Sequence, residues 1–96
     1  AEDKDNTGMY PLHWAAWHGS LDLVQMLVQR GRANPHKHDR VGMTAIHYAA
    51  VRGYHKVVRY LLDKEPELIH VMDKDGDSLL HCAAAGGRVE VVQLLL

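Results

Sequence analysis

An all-α solenoid of helix-turn-helix repeats is predicted by three observations: a 34-residue period, a turn-helix-turn-helix reading inside each period, and apolar residues at three- and four-residue steps in the second helix. Asp5, Asp39 and Asp73 fall at that spacing, as do Gly8, Gly42 and Gly76, then His13, His47 and His81, then Gly19, Gly53 and Gly87. Ala15/Ala49/Ala83, Ala16/Ala50/Ala84, Val24/Val58/Val92 and Leu27/Leu61/Leu95 complete eight columns identical in all three copies. The 96 residues therefore read as one domain, 1–96, of three units at 5–38, 39–72 and 73–96. A chain this short hides only about 60–65% of its unfolded surface as a globule. A stack avoids that limit, because each unit buries its apolar face on its neighbours.

Each element has a local reason. A polar turn opens each unit: Asp39-Arg40-Val41-Gly42 carries Asp at the first and Gly at the fourth position, as type I geometry favours. Pro11 suits the first helical position, where its missing N–H would be unpaired anyway, and a short helix then runs to about His18. Gly19 stops it by taking the left-handed conformation. Leu21, Val24, Leu27 and Val28 then mark one buried stripe of a second helix. The paired alanines let neighbouring helices approach closely. The recurrent histidines, able both to donate and to accept, read as structural.

Pro11-Leu12-His13-Trp14-Ala15-Ala16, Thr44-Ala45-Ile46-His47-Tyr48-Ala49-Ala50 and Ser78-Leu79-Leu80-His81-Cys82-Ala83-Ala84 resemble the ankyrin repeat signature Thr-Pro-Leu-His-x-Ala-Ala. The resemblance covers residues 5 to 96 and implies an ankyrin-type solenoid joined by β-turn or hairpin-like loops. It also implies a non-enzymatic protein-binding scaffold whose target varies. The chain departs from the family pattern by one extra residue per interval, between the second helix and the next turn. Gly31-Arg32-Ala33-Asn34 is similar to the family's Gly-Ala-x-x-Asn ending with an insertion, and Glu65-Pro66-Glu67-Leu68-Ile69 replaces it in unit two, with Leu68 expected beneath the turn. The signature threonine is Thr44, is approximated by Ser78 and is lost at Tyr10, which removes the hydroxyl partner of His13.

In ankyrin repeats the first helices and turn tips line a concave face where partners dock. Tyr10, Trp14 and Trp17, spaced i, i+4, i+7, form one stripe, distinct from Leu12, Ala15 and Ala16. The same columns read Thr44, Tyr48, Val51 and then Ser78, Cys82, Ala85, so bulk falls along the stack. With Met9 and Met43 near the turn tips, and His18, Val41 and Arg52 beside them, the partner-binding set is Met9, Tyr10, Trp14, Trp17, His18, Val41, Met43, Tyr48, Val51 and Arg52. Tyr54 and Arg88 extend it. Bulky residues are ordinary at the Trp14 and Tyr48 position of the family, so gap filling stands beside binding there. Positions 17 and 18 match those varied in designed ankyrin repeat binders, so an engineered binding face on a natural scaffold is an alternative to a natural one. The irregular Glu65-to-Met72 connection reads as natural.

Composition narrows the remaining classes. Eleven Lys and Arg against twelve Asp and Glu give a net charge of −1, so no bulk field gathers nucleic acid or anionic lipid. The acidic start Ala1-Glu2-Asp3-Lys4-Asp5 is unlike a secretory leader, and no apolar run reaches membrane-spanning length. Cys82 is the lone cysteine, which fits a reducing, cytoplasmic or nuclear compartment. No cofactor is expected. His36 and His38 beside Asp39 offer too few converging ligands for zinc, so no metal site is expected. Ser78, His81 and Cys82 are all accounted for as repeat columns and make no convincing catalytic set. The apolar run Val91-Val92-Gln93-Leu94-Leu95-Leu96 lacks the polar outer face of a terminal repeat, so a missing capping segment or packing of that end on something else is expected. The rival to partner binding is accordingly a homo-oligomer, a scaffold stacking through its repeat ends.

Overall fold

The computed structural model describes residues 9–73 and 75–96. Asp5 and Gly8, which the period assigns to a turn at the head of unit one, lie outside the described residues. The helices are α1 (Pro11–His18), α2 (Leu21–Gln29), α3 (Ala45–Arg52), α4 (His55–Lys64), α5 (Leu79–Ala85) and α6 (Val89–Leu95), with a 3-10 helix at Pro66–His70 after α4. Among the described residues there is no strand. The first helices form one layer, α1 on α3 and α3 on α5, and the second helices form another, α2 on α4 and α4 on α6.

The core runs continuously between these layers. Leu12, Ala15, Ala16, Ile46, Ala49, Ala50, Leu79 and Ala83 are buried from the first helices, and Val24, Val57, Val58, Leu61 and Val91 from the second. Because the recurrent alanines project only a methyl group, adjacent first helices pack with little side-chain volume between them. Helix starts follow the sequence. Pro11 opens α1, while the Thr44 and Ser78 hydroxyls accept the N–H of His47 and His81, each at 3.4 Å.

The glycines that end α1 and α3 carry a second duty. Gly19 (φ 73°) and Gly53 (φ 83°) are left-handed caps. A Cβ at Gly19 would also sit 2.6 Å from the Tyr54 ring, and one at Gly53 would sit 2.8 Å from Arg88 Cδ. Tyr54 and Arg88, expected to extend the binding patch, are thus engaged against the helix end of the preceding unit. Arg88 also donates from Nε to the carbonyl of Val51 at 3.0 Å.

The extra residue in each connection is absorbed differently. After α2, Ala33 is buried and its N–H reaches the Leu27 carbonyl at 2.9 Å, which obliges Arg32 to take φ 54°. After α4, the 3-10 helix turns the chain so that Leu68 is fully buried, as the sequence led us to expect. Left-handed backbone strains a residue that has a Cβ. Arg32→Gly is therefore expected to raise stability by up to ~1 kcal/mol, and Gly19→Ala to lower it by ~1 kcal/mol or more. Urea midpoints of the two variants check both signs, and a neutral Arg32→Gly would remove the strain argument.

Candidate functional site

The turn tips are fixed first. Asp39 accepts the N–H groups of Val41 (3.0 Å) and Met43 (2.9 Å) on Oδ1, while its carbonyl accepts Gly42 N–H at 3.0 Å. Its other oxygen, Oδ2, takes the hydroxyl of Tyr48, nine residues on in α3. Unit three repeats the plan: Asp73 Oδ1 accepts Asp75 and Asp77 N–H, both at 2.9 Å, and the Cys82 thiol lies 3.9 Å from Asp73 Oδ2. A column of Asp thus bolts each described tip to the following helix. The bonded backbone N–H groups hold the Asp73 carboxyl below its usual range. Burial, and then the Asp39 carboxylate, raise the Tyr48 hydroxyl well above its usual value, so it stays a donor. Sequence reading identified the turn but missed this bolt; the signal was a donor side chain nine residues after the aspartate in both units.

On this frame, Met9, Trp14, Trp17 and Tyr48 line an open cleft of about 250 Å3. Tyr48 is buried and forms its floor. Its ring stands edge to face with Trp17 (centroids 5.6 Å apart, 87°) and with His13 (5.9 Å, 81°). Half-buried Trp17 also carries the Arg52 guanidinium over its face at 4.3 Å. Trp14 is exposed and stacks on His18, with centroids 5.9 Å apart and planes 19° apart. Tyr10, by contrast, is the extended residue before α1 and stands outside the cleft residues, its ring beside His13 and under the Lys37 ammonium at 5.8 Å. Val41 is exposed at the tip, whereas Met43 and Val51 pack partly into the core. The structure brings Met9, Trp14, Trp17, Tyr48 and Arg52 together and leaves Tyr10 and Val41 at the margins. A smaller hollow of about 180 Å3 lies over the helix ends, lined in part by Gly19, Gly53 and Tyr54.

The histidine column supports the site from below. The Tyr10 backbone N–H donates to His13 Nδ1 at 3.0 Å, which replaces the missing threonine. The ring proton must then lie on Nε2, which meets the Lys37 carbonyl at 3.0 Å. His47 Nδ1 is 2.7 Å from the Thr44 hydroxyl, and its Nε2 is buried. Burial is the main cause that lowers the pKa of both rings, outweighing for His13 the Lys37 carbonyl and Asp39, and for His47 the Asp73 charge.

The other candidate chemistry resolves into structural roles. His36 and His38 diverge, His38 Nε2 lying 3.2 Å from the Met72 carbonyl and His36 Nε2 lying 3.4 Å from Glu67 Oε1. Two sets of ligand-type atoms do gather within 4.8 Å: His36, Glu65 and Glu67, and separately Asp73, Asp75 and Asp77. The first contains that exposed ion pair, and the second is the turn just described. Ser78 Oγ lies 3.2 Å from His81 Nδ1, yet the same oxygen caps α5 by accepting His81 N–H. Burial, and then Asp73 and Asp77, push the Cys82 thiol up to about 11, so at neutral pH it is protonated and a poor nucleophile.

A model of ankyrin repeats in three copies matches residues 12–96. The chain belongs to the ankyrin repeat family, whose domains are generally protein-protein interaction modules and typically non-enzymatic. A comparison with curated proteins gives no match. No described helix is long and apolar enough to cross a membrane.

The two buried histidines set a pH dependence. Their folded pKa values lie below the unfolded value of 6.5, so the unfolded chain binds more protons in that window. Stability is expected to be full above pH 6.5 and to fall as the pH drops through 6.5 toward the lowered folded values. Urea midpoints between pH 8 and pH 5, where the carboxylates remain ionised, should decline on acidification. A midpoint that is flat or rises would contradict the burial argument.

Proposed function

We propose that the chain binds a protein partner through the first-helix and turn-tip surface of units one and two, with Trp17 as the central anchor. The observation that carries this reading is the open cleft in which Met9, Trp14, Trp17 and the Tyr48 floor meet, with Arg52 laid over Trp17. Trp, Tyr, Met and Arg are enriched at interfaces, and rings fixed by their neighbours lose little freedom on binding. His18 and Met43 flank the cleft, Val51 supports it from the core side, and Tyr10 and Val41 form its margin. The scaffold is non-enzymatic, and its single cysteine suits a reducing cytoplasmic or nuclear compartment.

The test uses a displayed random-peptide library panned on the chain. Peptides that bind wild type should lose about 2–4 kcal/mol on Trp17→Ala, read as the ratio of dissociation constants. Losses below about 1 kcal/mol would move the hot spot elsewhere.

A second reading, head-to-tail association of this chain with itself, has its own support. One column is 2% exposed at Leu12 and 0% at Ile46 but 40% at Leu80, because the first two are covered by the following unit. In the column that faces the preceding unit, Leu23 is 43% exposed while Val57 and Val91 are buried. Unit three thus offers the face that unit one complements, and joining two copies would repeat the interface already made twice within the chain. Light scattering over a wide concentration range should then show a mass that rises with concentration and falls back with Leu80→Glu. A constant monomer mass would reject this reading.

A further inference from the structure

We infer that the segment this face recognises is acidic as well as apolar: a peptide whose bulky apolar side chain enters the Met9–Trp14–Trp17–Tyr48 cleft while a neighbouring carboxylate meets Arg52. This rests on the cleft being the binding site. The Arg52 guanidinium lies 4.3 Å from the Trp17 centroid and 5.7 Å from that of Tyr54, and Nη2 donates to the Tyr54 hydroxyl at 3.4 Å. A guanidinium stacked on a ring covers its flat side and leaves its other N–H groups directed outward in its plane, the geometry that matches a carboxylate fork. Arg52 is exposed, and among the described residues no carboxylate makes an ion pair with it.

Among the described residues, the charges stacked on the aromatic stripe are cationic. Lys37 sits over Tyr10, so the aromatic stripe carries a second cation besides Arg52. Asp39, whose carboxylate reaches the cleft residue Tyr48, is buried and already accepts two backbone N–H groups and the Tyr48 hydroxyl. Asp22, Asp63 and Glu90 belong to the second helices, Glu65 and Glu67 to the connection after α4, and Asp73, Asp75 and Asp77 to the turn tip of unit three. An aromatic cleft by itself also attracts cations. Here Arg52 already occupies the Trp17 face and would repel a second positive charge at contact distance. Charge complementarity at an interface rim governs which partner is accepted and how fast it arrives.

The experiment carries the library-selected peptides further. Each leading peptide is synthesised with its Asp and Glu, and again with those residues as Asn and Gln. Fluorescence polarisation then measures both forms on wild type, Arg52→Gln, Arg52→Lys and Trp17→Ala, with thermal melts verifying that each variant folds. Selected sequences should be rich in Asp and Glu. The amide forms should bind wild type roughly tenfold more weakly but Arg52→Gln by less than about twofold, and added salt should reduce the difference. Arg52→Lys, which keeps the charge without the flat fork, should fall between. Peptides that depend on Trp17 yet show no acidic excess, or whose amide forms lose as much on Arg52→Gln, would overturn the acidic chemistry and leave the cleft standing. Lysine-rich peptides would overturn it in the same way. No enrichment, or binding indifferent to Trp17→Ala, would remove the cleft and this inference together.

Discussion

The close approach of α1, α3 and α5 governs the rest of the structure. Ala16 and Ala50 are fully buried, whereas Ala84, in the same column of unit three, is exposed. Burial at that column therefore comes from the following unit and not from the unit's own second helix. Any larger side chain there would wedge the first helices apart and detach the Leu12, Ile46 and Leu79 layer that lies between them. Stability in such a stack is a sum of neighbour interfaces, and no unit keeps its core alone.

Close helices also require rigid connections at both of their ends. At the tip side, Asp39 and Asp73 tie the turns to α3 and α5 through Tyr48 and Cys82. At the far side, Tyr54 and Arg88 lie against the glycines that end α1 and α3. Among the described residues α3 is thus fastened at both ends, α1 at its far end and α5 at its tip, and the α1–α3 contact sets the direction in which Trp17 and Arg52 project. On the proposed function, a face held this way would meet a partner with little ordering cost.

The same repeat columns carry different chemistry in different units. The histidine of unit one accepts a backbone N–H on Nδ1 and meets a carbonyl through Nε2, that of unit two is buried with the Thr44 hydroxyl on Nδ1, and that of unit three is exposed. Column identity therefore fixes position in the fold but not the environment, which depends on what the neighbouring unit supplies. The column of Trp14, Tyr48 and Cys82 shows the same division: an exposed ring, a buried floor and a buried thiol.

The sequence by itself determined the fold. Its 34-residue period, helix-ending glycines and paired alanines are local and repeated, so each constrains backbone geometry whatever its neighbours do. It also marked the stripe of Trp14 and Trp17, because spacing along one helix depends only on helical periodicity. Only the tertiary structure decided that Tyr48 is the floor of the cleft, that Tyr10 lies apart from it, that Tyr54 and Arg88 serve the glycine caps, and that Arg52 stacks on Trp17. Each of those roles is a contact between units more than 20 residues apart or between a turn and the next helix. Such contacts follow from how far one unit is rotated and shifted on the next, a quantity that the packing of whole interfaces sets and that no single repeat encodes.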